Sequence, residues 1–325
     1  MKREEIEKTL RAKDSTILSF PQRSPTGTSW GDNKYRGNCS GWIQAFCIWK
    51  YQVKKMAELF SGGGTGSDVA KDMGIRYIGA DLNPNPVRND ILSVNAITDD
   101  VPQEFLDADF YFMHPPYSNI CRINWAGSAY PDPTGELAKQ DLGCMPWDKF
   151  MKTLNSIIMK YYAAMMNGGK MGILMGDVRR SGIFKSMVTE LVTPGIIEQI
   201  IIKEQKNTSS GYKNVAYSGH RNFVPIAHEY LMIIKKTLPY MIEFSTQVKR
   251  QIDIRDAKDP TWRDIVYAAL HHLGGESDLT EIYAEIDGHK RCQMNPNWKA
   301  KIRQVLQQFD CFQSSQRGEW RLVAM

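Results

Sequence analysis

A glycine-rich turn followed by two acidic residues suits a ligand that contains ribose. The stretch AELFSGGGTGSDVA spans residues 57–70. Its consecutive glycines let the backbone turn tightly and approach a ligand closely, and the helix expected after them offers free N–H groups. Asp81 is expected to end the next strand and Asp90 the one after it, where carboxylates can accept hydrogen bonds from ribose hydroxyls. Loop capping is the alternative role for either acid alone, but two at successive strand ends favour ligand binding.

A second candidate group, His114-Pro115-Pro116-Tyr117, ends the apolar run DFYFM. The two prolines stop regular structure, stiffen the backbone and donate no N–H, so they fix a carbonyl oxygen at the end of the strand. A neutral imidazole has one acceptor nitrogen, and a protonated one has none. Tyr117 supplies an aromatic face for stacking. The strand is therefore expected to end in a rigid turn that carries a histidine and an aromatic side chain.

The elements that must position these residues alternate between strands and helices. We predict strands at 52–60, 75–82, within 85–92, and at 109–113, 170–178, 196–204 and 228–236, with helices at 65–74 and 147–169. This alternation indicates an α/β fold with a seven-stranded, mostly parallel sheet covered on both faces. Only a polar loop separates the last two strands, which suggests an antiparallel end to the sheet.

The composition changes near residues 240–260 and indicates a second domain. Three short amphipathic helices are predicted at 261–275, 278–286 and 295–309, followed by a hairpin at 311–323. This is the layout of a small α+β winged helix. Basic residues in the third helix and the wing favour DNA contact over a protein-interaction or dimerisation role, and they are Lys299, Lys301, Arg303, Arg317 and Arg321. The predicted divisions are a lead-in (1–29), a catalytic domain (30–245) and this domain (258–325).

Composition and motif spacing exclude several other classes. The chain has 325 residues with 42% hydrophobic and 24% charged content and a net charge of +5, which is ordinary for a globular protein. No apolar run approaches a membrane span. The six cysteines lack metal-ligand spacing and indicate reduced thiols, so we expect a cytoplasmic protein without a metal site. The absence of Gly-Lys-Ser/Thr disfavours a P-loop, and the glycine spacing disfavours an NAD site.

These motifs resemble the S-adenosylmethionine-dependent amino-group DNA methyltransferases, which modify adenine N6 or cytosine N4. The family's cofactor turn reads like DPFxGxGT, where this chain has ELFSGGGT at 58–65. Its catalytic tetrapeptide is Asp, Asn or Ser, then Pro-Pro, then Tyr, Phe or Trp, where this chain has HPPY. The stretches at 34–43, 176–182 and 223–236 are similar to further family segments. The resemblance covers residues 30–240 approximately, in the motif order of the gamma group.

The resemblance implies a Rossmann-like methyltransferase with S-adenosylmethionine as cofactor and double-stranded DNA as partner, and it leaves room for a cognate restriction or defence nuclease. In the family, the first tetrapeptide side chain and the next proline carbonyl accept hydrogen bonds from the amine, and the aromatic residue stacks on the flipped base. The catalytic residues implied here are His114, Pro115, Pro116 and Tyr117. The cofactor-binding residues implied are Arg36, Asn38, Ser40, Phe60, Ser61, Gly62, Gly64, Thr65, Asp81, Asn83 and Asp90.

His114 departs from the family pattern and leaves its own role open. It can replace the Asp or Asn oxygen as an acceptor, so that acidification lowers activity; it can act as a general base; or it can mark a chain that kept the pocket and lost the reaction. We favour adenine N6 over cytosine N4, with RNA or a protein glutamine as alternative acceptors. The loop 118–146 is expected to close over the base or to pack as an ordinary loop, and the loop 207–222 to meet DNA.

Overall fold

The computed structural model describes residues 3–121, 123, 125–180, 182–206, 224–237, 244–245, 253–256 and 260–323. The chain divides into two compact units, Met1–Gln247 and Val248–Met325. The helices of the first unit are α1 (Arg3–Arg11), α2 (Gly41–Lys50), α3 (Thr65–Met73), α4 (Trp147–Ala164) and α5 (Met187–Glu190). Its strands are β1 (Ile17–Leu18), β2 (Lys55–Leu59), β3 (Arg76–Asp81), β4 (Ile91–Ser93), β5 (Phe110–Met113), β6 (Lys170–Arg180), β7 (Ile183–Ser186), β8 (Thr193–Pro194), β9 (Ile196–Glu204), β10 (His228–Lys235) and β11 (Phe244–Ser245).

The central sheet has the order β1-β9-β10-β6-β5-β2-β3-β4, with β7 paired to β6. Strand β10 lies between β6 and β9 and runs antiparallel to both, whereas the remaining neighbours along this order are parallel. The predicted α/β fold with a mostly parallel, Rossmann-like sheet is confirmed. The sheet has nine strands among the described residues instead of the predicted seven, because the short strands β1 and β7 also pair with it. Strands β6 and β9 run in the same direction and β10 runs against them, so the first residues of β10 lie at the edge of the sheet where β6 and β9 end.

Alternating side chains on the strands pack into two separate apolar layers, one on each face of the sheet. In β5, Phe110 and Phe112 pack with α2 and α3, while Tyr111 and Met113 face the layer that contains α4. All four residues are buried, which explains why this strand reads as a continuous apolar run. Helix α4 ends at Ala164, before the predicted stop at residues 168–169, because the following residue adopts an extended conformation.

The predicted lead-in at 1–29 is part of the first unit. Ile6 and Leu10 on one face of α1 are fully buried in the same apolar layer as α2. Phe20 stacks on Trp42 with ring centroids 5.2 Å apart, and β1 extends the sheet beside β9. Sequence reasoning did not predict this because α1 carries only two buried apolar residues among many charged ones.

The second unit contains α6 (Trp262–His272), α7 (Leu279–Ile286), α8 (Lys290–Gln293) and α9 (Trp298–Gln308), with strands β12 (Glu276–Asp278), β13 (Phe312–Gln316) and β14 (Glu319–Leu322). The three predicted helices and the terminal hairpin are present. Strand β12 adds to the hairpin in the order β12-β14-β13, and the helices enclose their own apolar core. Among the described residues, no helix combines the length and apolarity needed to cross a bilayer.

Replacing Leu10 with alanine is expected to lower the free energy of unfolding by roughly 2–5 kcal/mol, because the fully buried side chain would leave a cavity. Glu5→Ala on the exposed face of the same helix is the matched control and should change this free energy by less than about 0.5 kcal/mol. Urea denaturation of the full chain measures both. Equally small effects would show that α1 does not belong to the core.

Candidate active site

A cavity of about 1030 Å³ lies at the edge of the sheet where β2, β3, β5 and β6 end and β10 begins. Large clefts at this edge are the usual ligand sites of open α/β sheets. The cavity wall brings together most of the predicted site residues, which are Arg36, Asn38, Phe60, Ser61, Gly62, Thr65, Asp81, His114, Pro115, Pro116 and Tyr117. Residues from four separate stretches of sequence therefore form one site.

The glycine-rich turn is held in shape by Asp81. One carboxylate oxygen, Oδ2, accepts a hydrogen bond from the Gly62 N–H at 2.8 Å, and Oδ1 accepts one from the Asn83 N–H at 2.9 Å. Phe60 has a left-handed backbone (φ +61°), which is uncommon outside glycine and concentrates at functional sites. Burial raises the pKa of Asp81, and the two backbone N–H groups oppose that rise. The carboxylate thus ties β3 to the turn and still lines the cavity.

The segment before α2 packs directly against the turn. Asn38 accepts a hydrogen bond from the Gly63 N–H through Oδ1 at 3.2 Å, and the Gly63 carbonyl accepts one from the Asp32 N–H at 2.7 Å. The indole of Trp125, in the loop 118–146, donates to the Arg36 carbonyl at 3.1 Å. This loop therefore lines the cavity and packs against the segment beside the glycine-rich turn. The predicted loop 207–222 lies outside the described residues.

Four predicted cofactor-binding residues do not line the cavity. Ser40 precedes α2 as its N-cap, and its hydroxyl donates to the Arg23 carbonyl at 3.4 Å. Gly64 precedes α3 as its N-cap and has a left-handed backbone, and Asn83 is buried, where its side chain accepts from the Asn85 N–H. The expectation that Asp90 ends a strand is wrong, because β4 starts at the next residue; its carboxylate accepts from the Ser67 hydroxyl at 2.8 Å.

Glu58 is a buried acid beneath the turn. Its carboxyl group is hydrogen-bonded by the Gln44 amide and the Tyr77 hydroxyl, both at short range. Burial raises the pKa of Glu58 to about 8, although both hydrogen bonds act against the rise. Gln44 Oε1 is also buried and has no hydrogen-bond partner among the described residues. The cluster holds more acceptors than donors, which favours a proton on Glu58 at neutral pH.

A network of four side chains surrounds the tetrapeptide. The Tyr117 hydroxyl donates to Glu229 Oε1 at 2.9 Å and lies 3.3 Å from His114 Nε2. His114 Nε2 is 3.8 Å from the same carboxylate oxygen. Lys203 donates to Glu229 Oε2 at 2.5 Å. Two charged and two polar groups thus form one connected cluster in the cavity wall.

The Glu229 carboxyl group is ionised although it is buried. Burial alone would raise the pKa of this carboxyl, but the Lys203 ammonium and His114 outweigh that effect and hold the pKa well below its ordinary value. Burial and the adjacent carboxylate raise the pKa of Tyr117, so its hydroxyl remains a proton donor. Gly176, paired with Glu229 in the sheet, leaves room for the Tyr117 ring, since a Cβ there would lie 3.3 Å from the ring.

Sequence reasoning missed Glu229, Lys203 and the stretch 94–97 that follows β4 into the cavity wall. Glu229 was assigned to a strand without a site role. The signal was present in the strand direction, because an antiparallel strand brings its first residues to the ligand edge. Lys203 pairs with Glu229 across the sheet, a register that sequence spacing does not reveal.

The predicted DNA-binding residues lie in the second unit. Helix α9 contains no acidic residue. Lys299 lies 5.5 Å from the centre of the Tyr283 ring, and Arg303 donates to the hydroxyl of that tyrosine at 2.9 Å. Lys301 is half-buried, and Arg317 is exposed in the turn between β13 and β14. Tyr283 thus holds two cations on the exposed side of α9.

No protein-family model and no curated protein matches this chain. Among solved structures, it is similar to TrmN from Thermus thermophilus (11% identity, 62% of this chain and 50% of that chain, TM-score 0.35). It is also similar to a putative hemolysin from Lactococcus lactis (11% identity, 63% of this chain and 90% of that chain, TM-score 0.35). A third similar structure is a SAM-dependent methyltransferase from Methanosarcina mazei (14% identity, 57% of this chain and 93% of that chain, TM-score 0.30). This chain covers half of the length of TrmN. Scores this low assign no activity, and the fold follows from the strand order described above.

The stability of the first unit is expected to fall as pH rises. The folded-state pKa of Glu58, about 8, lies above its ordinary value of 4.5, so the native state keeps a proton that the unfolded chain releases. The resulting stabilisation is complete below pH 4.5 and is lost as pH rises through 8. Glu58→Gln, which stays neutral, should therefore gain a few kcal/mol relative to the wild type between acid and alkaline pH.

Urea denaturation across this pH range measures the effect, with Glu104→Gln at an exposed position as the matched control. Parallel pH profiles for the wild type and Glu58→Gln would contradict the assignment of a protonated Glu58.

Proposed function

We propose that this protein transfers a methyl group from S-adenosylmethionine to an exocyclic amine in DNA, and that this amine is N6 of adenine. The observation that carries the proposal is the shared cavity, in which the glycine-rich turn, Asp81 and the His114–Tyr117 tetrapeptide meet at the ends of three adjacent strands. One strand end would bind the cofactor, and the next would present the acceptor to it. The resemblance in motif type and order to the amino-group DNA methyltransferases supports methyl transfer as the reaction.

The residues of the cavity fit the cofactor. Asp81 lines the wall with a carboxylate that can accept from ribose hydroxyls. The Thr65 hydroxyl, Gln140 Oε1 and Asp177 Oδ1 are buried in the same wall and have no hydrogen-bond partner among the described residues. Buried polar atoms without partners cost free energy, so a polar ligand that satisfies them would bind favourably. When bound, S-adenosylmethionine supplies an electrophilic methyl group on a sulfonium sulfur.

The tetrapeptide would bind and orient the acceptor amine. An exocyclic amine is a weak nucleophile because its lone pair is conjugated with the ring, and acceptors placed on its N–H groups favour a tetrahedral nitrogen. His114 would provide one acceptor and the rigid Pro115 carbonyl the other. Tyr117 lines the cavity and would stack on a base that has left the double helix. Catalysis then consists mainly of positioning the nitrogen in line with the methyl group.

The second unit supports DNA as the substrate. Its three longer helices, α6, α7 and α9, together with the three-stranded sheet that includes the terminal hairpin, suit a winged helix, in which one helix enters the major groove. Lys299, Lys301, Arg303 and Arg317 would contact phosphates from α9 and the wing. We therefore propose that this unit binds double-stranded DNA and that the first unit modifies it.

Asp81→Asn is expected to weaken S-adenosylmethionine binding at least tenfold, because a charge-assisted acceptor is lost and the turn loses one of its anchors. Asp90→Asn is the matched control, since this carboxylate bonds Ser67 outside the cavity. It should change the dissociation constant by less than about twofold. Isothermal titration calorimetry measures both. Equal losses in the two variants would mean that the cofactor does not meet Asp81 in the way proposed.

Incubating genomic DNA with the full-length protein and methyl-labelled S-adenosylmethionine should yield labelled N6-methyladenine by nucleoside mass spectrometry. Tyr117→Ala should lower the rate about tenfold or more, because base stacking contributes about 1–3 kcal/mol. Labelled N4-methylcytosine would overturn the proposed base. Label only in RNA or protein would overturn the proposed substrate, and cofactor binding without transfer to any of these would indicate a pocket that has lost the reaction.

A further inference from the structure

A histidine can replace the family's Asp or Asn acceptor in only one of its neutral forms. In Asp and Asn the accepting oxygen is bonded to Cγ, and in histidine the atom with the same bonding position is Nδ1. Nε2 lies one atom further along the ring. For His114 to present an acceptor at the equivalent position, Nδ1 must be unprotonated and Nε2 must carry the hydrogen.

The network around His114 selects this form. A tyrosine hydroxyl has one hydrogen, and Tyr117 donates it to the Glu229 carboxylate at 2.9 Å. The Tyr117 hydroxyl oxygen also lies 3.3 Å from His114 Nε2, and because its hydrogen is already used, this contact is favourable only if Nε2 donates. Glu229 Oε1, at 3.8 Å, attracts the same hydrogen. Both neighbours of Nε2 therefore favour the Nε2–H tautomer.

Lys203 keeps this arrangement in place. It donates to Glu229 Oε2, the oxygen that Tyr117 does not use, so the two carboxylate oxygens have separate partners. The pairing is built into the sheet, because Lys203 on β9 and Glu229 on β10 are register partners. The Lys203 ammonium keeps this buried carboxylate ionised, and the negative charge can stabilise a positive charge on a neighbouring imidazole. This is the arrangement of a base oriented by a third group.

We infer that Glu229 is the positioning residue of His114, holding it as the Nε2–H tautomer so that Nδ1 accepts a hydrogen bond from the methyl-accepting amine and then takes its proton. The inference rests on the proposed function. The amine lone pair forms the nitrogen–carbon bond as the carbon–sulfur bond breaks, and that electron pair stays on sulfur. The methylated nitrogen is then cationic, and it passes one proton to Nδ1. His114 becomes an imidazolium opposite the Glu229 carboxylate and later releases the proton to water.

The groups that face this histidine come from several elements. Glu229 of β10 and Lys203 of β9 are charged, and Tyr117 is neutral. Two thiols act on the same cluster, and burial raises the pKa of Cys39 to about 12 and that of Cys121 to about 11, so both stay protonated. Asp177, Arg179, Arg180 and His228 also line the cavity. The pH response of the site must therefore be read from variants and not from the wild type alone.

A double-mutant cycle tests the inference. Single-turnover methyl transfer is measured for the wild type, Glu229→Gln, His114→Asn and the double variant. His114→Asn restores a family acceptor that cannot take up a proton. We expect Glu229→Gln to slow the wild type roughly 10- to 100-fold and to slow the His114→Asn enzyme by at least about fivefold less, because in that background Glu229 still bonds Tyr117 but no longer acts on a histidine. An equal loss in both backgrounds would overturn the inference, because Glu229 would then act independently of His114.

The pH profile gives a second readout that a merely structural role would not move. Glu229→Gln removes the negative charge that lies 3.8 Å from His114 Nε2, so the acid limb of the rate profile should shift to lower pH in this variant. Glu229→Asp, which keeps the charge, should restore part of the rate and the original midpoint. An identical midpoint in the wild type and Glu229→Gln would count against the inference.

Nitrogen NMR of histidine-labelled protein separates this inference from the proposed function. The His114 signals, assigned by their loss in His114→Asn, should show hydrogen on Nε2 in the wild type and a mixture of tautomers in Glu229→Gln. A wild type with hydrogen on Nδ1 overturns the inference even if DNA is methylated. Failure of the wild type to methylate DNA overturns the proposed function, while the tautomer result still decides the role of Glu229.

Discussion

The chemistry of the cavity depends on the reversal of strand β10. In a wholly parallel sheet only the carboxyl ends of strands reach the ligand edge, and the amino ends lie on the far side. Because β10 runs against β6 and β9, its second residue, Glu229, reaches that edge from the opposite direction. The register then places a lysine on one side of the carboxylate and a glycine on the other. The ion pair, the space for Tyr117 and the orientation of His114 all follow from this one reversal.

Two buried acids in the same cavity wall have opposite charge states, and their surroundings explain the difference. Glu58 meets only neutral partners, an amide and a phenol, and burial keeps it protonated. Glu229 meets an ammonium and an imidazole, and these keep it ionised. Environments that separate the ionisation of like groups are typical of active sites. The cavity therefore has a neutral floor under the glycine-rich turn and a charged wall beside the tetrapeptide.

Local patterns predicted the parts of the site that lie within one element or one turn. The turn after β2, Asp81 at the end of β3 and the tetrapeptide after β5 are each marked by residues within a few positions of one another. Asp90 was misplaced because β4 has three residues and too little periodicity to locate its start. The partnership of Glu229 with Lys203 depends on a strand register between distant segments. Such register is set by tertiary packing, so spacing along the sequence does not encode it.

The position of β1 has a consequence for how the chain folds. Ile17 pairs with Ile202, so the first strand is completed by one of the last elements of the unit. Contacts between residues so distant in sequence form slowly, because a long loop must close before they contribute. During synthesis, β1 emerges long before β9 exists, and its pairing edge remains uncovered until then. The N-terminal strand therefore joins the sheet late in folding, and the cavity is complete only after the whole sheet has assembled.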